Sequence, residues 1–556
     1  MHADAVPLHK ILNSNLQMII PIFQREYSWE LEQVRILWED IEKLYKNIST
    51  NSTSTHFLGP IVRVEVSQSS VDTRLFYLID GQQRIITLMV LLSCIRNIVK
   101  KENDEAVLRK IESGYLLNYE EKGENRYKLI PSEGDRANFK SIINGEDNLS
   151  DNKLKDTYDY FTKKLTCQKS ELNLEKLRGI VINNLILVNI DVDKNENPYL
   201  IFESLNAKGT PLTQADLIRN YIFMKINNED KQKELYQSYW RPMETLLKDK
   251  LENFFWRYSL KEGTFVKINR TYANLKMELE TNTEKSAESE LKKLHEYSKY
   301  YRRLVVPNEE TDVGIRAKLI RLNRWEIRTA YPFLLNIYKD YSEEKITKDQ
   351  FCEILDIIES FVVRRFFCKE PTNKLNGLFI ALYDQLDKNN IIESMKINMK
   401  KDWPDNEIFI QGLKTFSIYK SGTEKCRFVL ESLECSYSHK EKVDLTNEAI
   451  SIEHIMPRMG DNSEALPSEW KTMLGANYNE VHSKYLHTLA NLTLTGYNQE
   501  LSIKPFKEKK VLLQESNFEI NRYFDSLSKW DEEEILKRQR IMAEKALEIW
   551  KYPNQS

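Results

Sequence analysis

LIDGQQRIITLMVLL occupies Leu78–Leu92. It reads as the end of a strand, a sharp polar turn, and a helix that stays apolar for several turns. Asp80, Gly81, Gln82, Gln83 and Arg84 fill the turn. A strand that enters a glycine turn at a helix start exposes unpaired backbone N–H groups, and the helix dipole adds partial positive charge there. Arg84 can fork two hydrogen bonds onto a phosphate. Gln82 and Gln83 can donate and accept. Asp80 can hold a magnesium ion through water or simply fix the turn. The stretch is no Walker A loop, because GxxxxGK[ST] is absent. On these residues alone, a capped turn with a surface arginine and a phosphate site both remain open.

Outward from this turn, the first 225 or so residues mix strand and helix signals. FLGPIVRVEV (Phe57–Val66), RLFYLID (Arg74–Asp80) and LILVNIDV (Leu185–Val192) read as strands. Tyr27 to Tyr45 has helical spacing. Thr213 and Asp216 have capping-box spacing ahead of another helix. Residues 226–425 read as mainly helical, and 426–556 hold four of the eight histidines and end in a long helix through Trp550.

The whole chain has 556 residues, which exceeds one compact core; about three or four domains are expected at roughly 100–200 residues each. Charged residues make up 30% and apolar ones 41%, the balance of a folded globular chain. The 81 Lys+Arg nearly cancel the 84 Asp+Glu, which excludes a generic polycation; nucleic acid would be met through local basic patches. Six scattered cysteines without a CxxC pair speak against a zinc ribbon or a disulfide framework and fit a cytoplasmic location. The longest apolar stretch, Ile85–Ile95, is too short to span a bilayer, so no membrane partner is expected.

FQREYSW, FLGPIV, LIDGQQRIITLMVLL and IFESLNAKGTPLTQADLIRNYIF follow one another between Phe23 and Phe223. In this order and spacing they closely resemble the GmrS-type N-terminal domain of modification-dependent restriction systems. That domain resembles the ParB/sulfiredoxin-like α/β fold, in which the DGQQR turn serves nucleoside triphosphate binding and hydrolysis. The resemblance implicates Asp80, Gly81, Gln82, Gln83 and Arg84, together with Gln24 and Arg25, as nucleotide-binding. Asn206 and Gly209 in SLNAKGTPL match another shared motif. In relatives the PxFQRxY stretch is also implicated in sensing DNA modification, so Phe23 and Tyr27 would pack on a modified group while Arg25 meets phosphate. Trp29 and Trp38 read as core.

SIEHIMPR (Ser451–Arg458) and LHTLANLTLTGYNQELSIKPFKEKK (Leu486–Lys510) carry the second constellation. A histidine followed by two asparagines across a strand-loop-strand-helix pattern is what a one-metal ββα nuclease needs. The histidine must be neutral to take a proton from water. A carboxylate and an amide oxygen are hard ligands suited to Mg2+. The bland reading is a surface or structural Glu-His pair. The two stretches look like the GmrD-type HNH (His-Me finger) nuclease domain. On that match His454 is the general base, Asn491 the supporting asparagine, Glu453 and Asn498 metal ligands, and Lys504 or Lys509 a phosphate contact. The chain departs from the family at Ala490, Arg458 and Ile503, where Gly, Gln and Asn are common. His482 and His487 are alternatives to the asparagines, and both read as structural or surface. In SFVVRRFFCKEPTNKLN, Arg364 and Arg365 sit amid apolar residues, and at least one of them is expected to be paired or to face nucleic acid.

The resemblance implies a multidomain, mainly α architecture with α+β parts. It comprises a nucleotide-binding and modification-sensing α/β domain (1–225), a helical connector (226–425) and a ββα-metal nuclease domain (426–556). The expected activity is a type IV-like DNA restriction endonuclease in antiphage defence that acts on modified phage DNA. It would be regulated by GTP, ATP or CTP and use Mg2+ or alternatively Mn2+, with a homodimer left open. A nucleotide-switched DNA-binding regulator without cleavage and an RNase toxin are the alternatives.

Overall fold

The computed structural model describes residues 2–12, 15–48, 54–66, 73–168, 172–192, 212–226, 228–282, 286–438, 444–445, 447, 449–459, 466–496 and 498–553. The alternating run at Arg74–Asp80 is a strand, as the pattern predicts. It belongs to a six-stranded mixed sheet built from β1 (His2–Pro7), β2 (Leu16–Ile19), β3 (His56–Glu65), β4 (Arg74–Asp80), β5 (Leu129–Ile130) and β6 (Leu185–Val192), in the order β1-β6-β3-β4-β2-β5. β3 and β4 pair antiparallel, β6 runs parallel to β3, and β2 runs parallel to both β4 and β5. The edge strand β1 pairs antiparallel with β6 and carries only a short mixed sequence, HADAVP, too weak a pattern to read as a strand.

The helix Gln82–Lys101 leaves β4 directly. Ile85, Ile86, Leu88, Met89, Val90, Leu91 and Leu92 are all at most 1% exposed, so the helix is buried on every side. That explains why its apolar run shows no polar stripe: it is the central core helix of this part of the chain. The helix Leu31–Asn47 buries Val34, Leu37, Trp38, Ile41 and Leu44 against the same core. It begins four residues after the sequence pattern suggests, because the preceding segment is a loop with other partners. Thr213 caps Gln214–Met224 in the expected box, its hydroxyl accepting from the Asp216 N–H at 3.1 Å.

Helices dominate the remainder. Near the C-terminal end, β7 (Ser451–His454) and β8 (Leu492–Thr495) form a two-stranded antiparallel ribbon, with His454 opposite Leu492. Helix Phe506–Gln514 follows β8 and adds Phe506 to an aromatic core with Trp470, Phe524 and Trp530, which the residues flanking the ribbon, Ile455 and Ala490, join. The chain divides into two compact units, one of residues 1–252 with 269–295 and the other of 253–268 with 296–556. The helical stretch 226–425 is thus divided between the two units. Among the described residues no helix is long and apolar enough to cross a membrane.

Candidate functional site

Gly81 makes the DGQQR turn possible. Its φ is +86°, and a Cβ there would lie 2.4 Å from Ile61 Cγ2, so glycine is required by both conformation and space. Gly59 in β3 has φ +110°, and a Cβ there would meet the Arg84 guanidinium at 3.4 Å. Arg84 lies along this strand and donates from Nη1 to the Pro60 carbonyl. Asp80 sits beside both Arg84 and Arg25: burial pushes its carboxyl up, while the two arginines and the Gly81 N–H oppose that shift. The turn and FQREY therefore do meet, through Asp80, Arg84 and Arg25.

The glutamines are employed differently from the expectation. Gln82 donates to the Arg25 carbonyl at 3.2 Å. Gln83 donates to the Glu26 carbonyl at 3.3 Å and accepts from the Ser28 N–H at 2.8 Å. Gln24 donates to the Ile79 carbonyl at 3.4 Å. These amides tie the loop 21–30 to the helix start. The Gln82 Oε1 is buried without a hydrogen-bond partner among the described residues, the one glutamine acceptor of the turn left for a ligand. Asn206 and Gly209 lie outside the described residues.

Phe23 and Tyr27 correct the sequence reading. Phe23 stacks on Phe223 with centroids 5.6 Å apart and the rings 7° from parallel. Tyr27 donates its N–H to Asp135 at 2.6 Å, and its hydroxyl lies 2.7 Å from Thr87 and 3.3 Å from Thr157. At 4% and 5% exposed, both are core residues that fix the loop and leave no face for a DNA base. For Arg364 and Arg365 the structure takes the first of the two expected alternatives, pairing within the protein. Arg364 donates to the carbonyls of Trp550 and Pro404 and to Asn406 Oδ1; Arg365 donates to the carbonyls of Asp402 and Pro371. Both are buried against protein carbonyls, so neither faces nucleic acid.

In the second unit, His454 ends β7 and is 5% exposed. Burial, reinforced by His487, Arg458, Lys509 and His482, lowers its imidazole to about 3. The ring is therefore neutral near pH 7, the form that accepts a proton. Its Nε2 lies 3.2 Å from His487 Nδ1. Tyr419 sets its ring at 77° to His454 with centroids 4.5 Å apart, and nearly parallel to His487. Arg458 approaches the same Tyr419, its guanidinium 5.4 Å from the ring centroid. Burial, and after it the exposed Lys420 and Arg458, push the His487 imidazole down as well. Strand alternation sends the next side chain back, Glu453, to the other side. There Lys509 Nζ, fully buried, bonds Glu453 Oε1 and also the His454 carbonyl at 2.7 Å.

Two expected roles change on this geometry. Lys509 pairs with Glu453 and is out of reach of a phosphate; Lys504 is half-buried. Asn491 does not touch the His454 ring. Its Oδ1 accepts from the Met456 N–H at 2.8 Å and from Trp530 Nε1 at 3.1 Å. Its Nδ2 donates to the carbonyls of Met456 and Leu486 at 3.2 and 2.9 Å. Asn498 opens a short helix, and its side chain lies outside the described residues. Glu453 fits a divalent cation by donor type, yet its position against Lys509 does not; no group of three or more His, Cys, Asp or Glu converges among the described residues. Tyr419 and Lys420 were not foreseen as site residues, and His487, weighed as an alternative, was read as structural or surface. Tyr419 and Lys420 precede the expected domain start at 426, and a lone histidine 33 residues beyond His454 carries no spacing signal.

Comparison with known proteins bears on both constellations. A family model described as the GmrSD restriction endonuclease N-terminal domain matches residues 8–223. A second, described as the GmrSD restriction endonucleases C-terminal domain, matches residues 403–545 and so takes in Tyr419 and Lys420. No curated protein matches the chain. The first match spans the DGQQR turn with the loop it anchors, and the second spans the His454 ribbon. The chain belongs to the GmrSD restriction endonuclease family.

Proposed function

We propose that the chain is a type IV-like restriction endonuclease that cuts modified phage DNA by hydrolysis at His454 and is governed by a nucleoside triphosphate held at the DGQQR turn. The observation that carries the cutting half is a neutral, largely enclosed imidazole at the end of a two-stranded ribbon, with Arg458 near it and Lys420 near its partner His487. His454 takes a proton from water. The resulting oxygen attacks phosphorus, the bond from phosphorus to a sugar oxygen breaks, and that oxygen is protonated from solvent. Arg458 and Lys420 hold the phosphodiester and offset its charge as the attack proceeds. A divalent cation, Mg2+ or Mn2+, would call on oxygen donors such as Glu453 and Asn498, and Glu453 would be open to it only if Lys509 gave it up. Such a cation would polarise the phosphate oxygens.

For the nucleotide half, support comes from Asp80, Arg84 and Arg25 meeting at a glycine turn, and from the unpaired Gln82 Oε1. Arg84 and Arg25 would bind phosphate oxygens, and Gln82 a hydroxyl or a base edge.

One experiment separates the readings. The full chain is incubated with Mg2+ or Mn2+ and plain plasmid, DNA carrying glucosylated 5-hydroxymethylcytosine, phosphorothioate DNA, or RNA, each with and without GTP, ATP or CTP. Cleavage of a modified DNA by the wild type and none by His454→Ala supports the proposal. Cleavage of RNA alone, or equal cleavage by His454→Ala, rejects it. Nucleotide turnover unchanged in Asp80→Ala and Arg84→Ala rejects the assignment of the turn.

A further inference from the structure

The base in a hydrolysis of this kind works only if one ring nitrogen is bare and aimed at water. Something must therefore hold the other nitrogen. Asn491 has the right chemistry but is already committed. Its amide makes four hydrogen bonds, three to backbone groups and one to Trp530, and is completely buried. Two of the backbone residues it holds are Met456, two residues after His454, and Leu486, one residue before His487. The Ile455 N–H also donates to the Asn491 carbonyl at 2.9 Å. Asn491 thus fixes the chain on both sides of a histidine pair, and the pair itself makes the ring contact.

We propose that His487 is the positioning residue for His454, and that it sets which nitrogen of His454 is the base. This rests on the nuclease reading above. The contact joins His454 Nε2 to His487 Nδ1 at 3.2 Å, so one proton lies between the two nitrogens. If His454 donates it, His454 Nδ1 is bare and can take a proton from water. If His487 donates it, both nitrogens of His454 are committed and no base remains. The two cases differ in tautomer. In the first, both neutral rings carry their proton on Nε2, the form histidine favours in water. In the second, both carry it on Nδ1. The first arrangement is therefore the stable one as well as the active one. When His454 becomes an imidazolium, its Nε2–H bond to His487 turns charge-assisted and strengthens, which favours the transition state over the ground state.

The surroundings keep the His487 ring in this role. Tyr419 lies 13° from parallel to it and donates its N–H to the His487 carbonyl at 3.4 Å. The same tyrosine closes over His454, so the three rings hold one another.

The test uses the full chain and the DNA that the wild type cuts fastest in the panel above. His487→Ala is expected to lower kcat about 10- to 100-fold, the scale on which losing a partner that orients a reactive side chain is felt, while the KM for DNA stays within about twofold. His487→Asn keeps an acceptor oxygen near the Nδ1 position and is expected to recover most of that loss. Ring-nitrogen NMR on histidine-labelled protein is expected to show His454 protonated at Nε2, its signals identified by their disappearance in His454→Ala. Wild-type kcat in His487→Ala with an inactive His454→Ala overturns this inference and leaves the nuclease reading standing. So does His487→Asn as impaired as His487→Ala at native melting temperature, or His454 protonated at Nδ1. Full activity in His454→Ala overturns the nuclease reading, and this inference with it.

Discussion

His454 has a price visible without any substrate. Its folded-state value of about 3 lies below the ordinary 6.5, so the unfolded chain takes up that proton first. Stability therefore falls as pH drops below 6.5, and the loss is complete near pH 3. Over that window the loss attributable to this residue is roughly 3–5 kcal/mol. Glu453, pushed upward by burial, works in the opposite direction at its own pH, so the comparison must be made with His454→Asn. Urea melts between pH 7 and pH 4 should show the variant losing less stability than the wild type; parallel curves would reject the shift. Lys509 offers a second check. Lys509→Met leaves the Glu453 carboxylate buried without its cation, which should cost about 3–5 kcal/mol. If Glu453 is a metal donor, Mg2+ or Mn2+ should raise the melting temperature of this variant more than that of the wild type. Of these residues, His454 and Glu453 were picked out in the sequence because the stretch Glu-His-Ile-Met-Pro resembles the family's nuclease motif, the alternating run alone leaving them open. The Lys509 pairing was not, since it joins side chains 56 positions apart.

Among the elements, the strand-turn-helix at Leu78–Leu92 is the one whose sequence was nearly sufficient. β4 and β6 span the residues predicted for them, because a half-buried strand writes its period into the chain. β1, β2 and β5 are short and lean on neighbours for their hydrogen bonds, so no local pattern announced them. The use of the glutamines was also hidden: DGQQR looks the same whether its amides reach a nucleotide or a loop 57 residues earlier. Gly81→Ala tests the turn as a unit. The added methyl meets Ile61 Cγ2 and the backbone stays at φ +86°, which together should cost about 2–4 kcal/mol. Ile61→Leu removes that methyl, so the double variant should regain part of the loss and keep the conformational part. No recovery in thermal melts would show that crowding is not the cause.

At the scale of the whole molecule, the first family match ends at residue 223, beside the boundary read near 225, while the first compact unit runs on through 252 and takes in 269–295. Residues beyond 225 complete the first: Phe223 meets Tyr236 and Trp240 at 5.7 and 6.1 Å, and the Tyr272 N–H donates to Gln214 at 2.9 Å. Such partners lie far along the chain and leave no composition change to mark them. A fragment ending at 225 should therefore melt well below one that joins 1–252 to 269–295 through a flexible Gly/Ser linker. Equal melting temperatures by circular dichroism would show that 228–295 adds nothing to the unit.

That interleaving also has a consequence in time. A chain emerging from the ribosome can close its first unit once His295 is out, while roughly 260 residues of the second are still to be made. At about 5–20 residues per second, this is a delay of tens of seconds. During it the segment Asn253–Ile268, with Phe254 and Phe255 destined for the later unit, waits without its partners. β7 and β8, which frame His454, are made only after residue 450 has been added. Each new copy thus passes its youth with the DGQQR turn assembled and the ribbon that carries His454 not yet made, a built-in order of birth that no regulator has to impose.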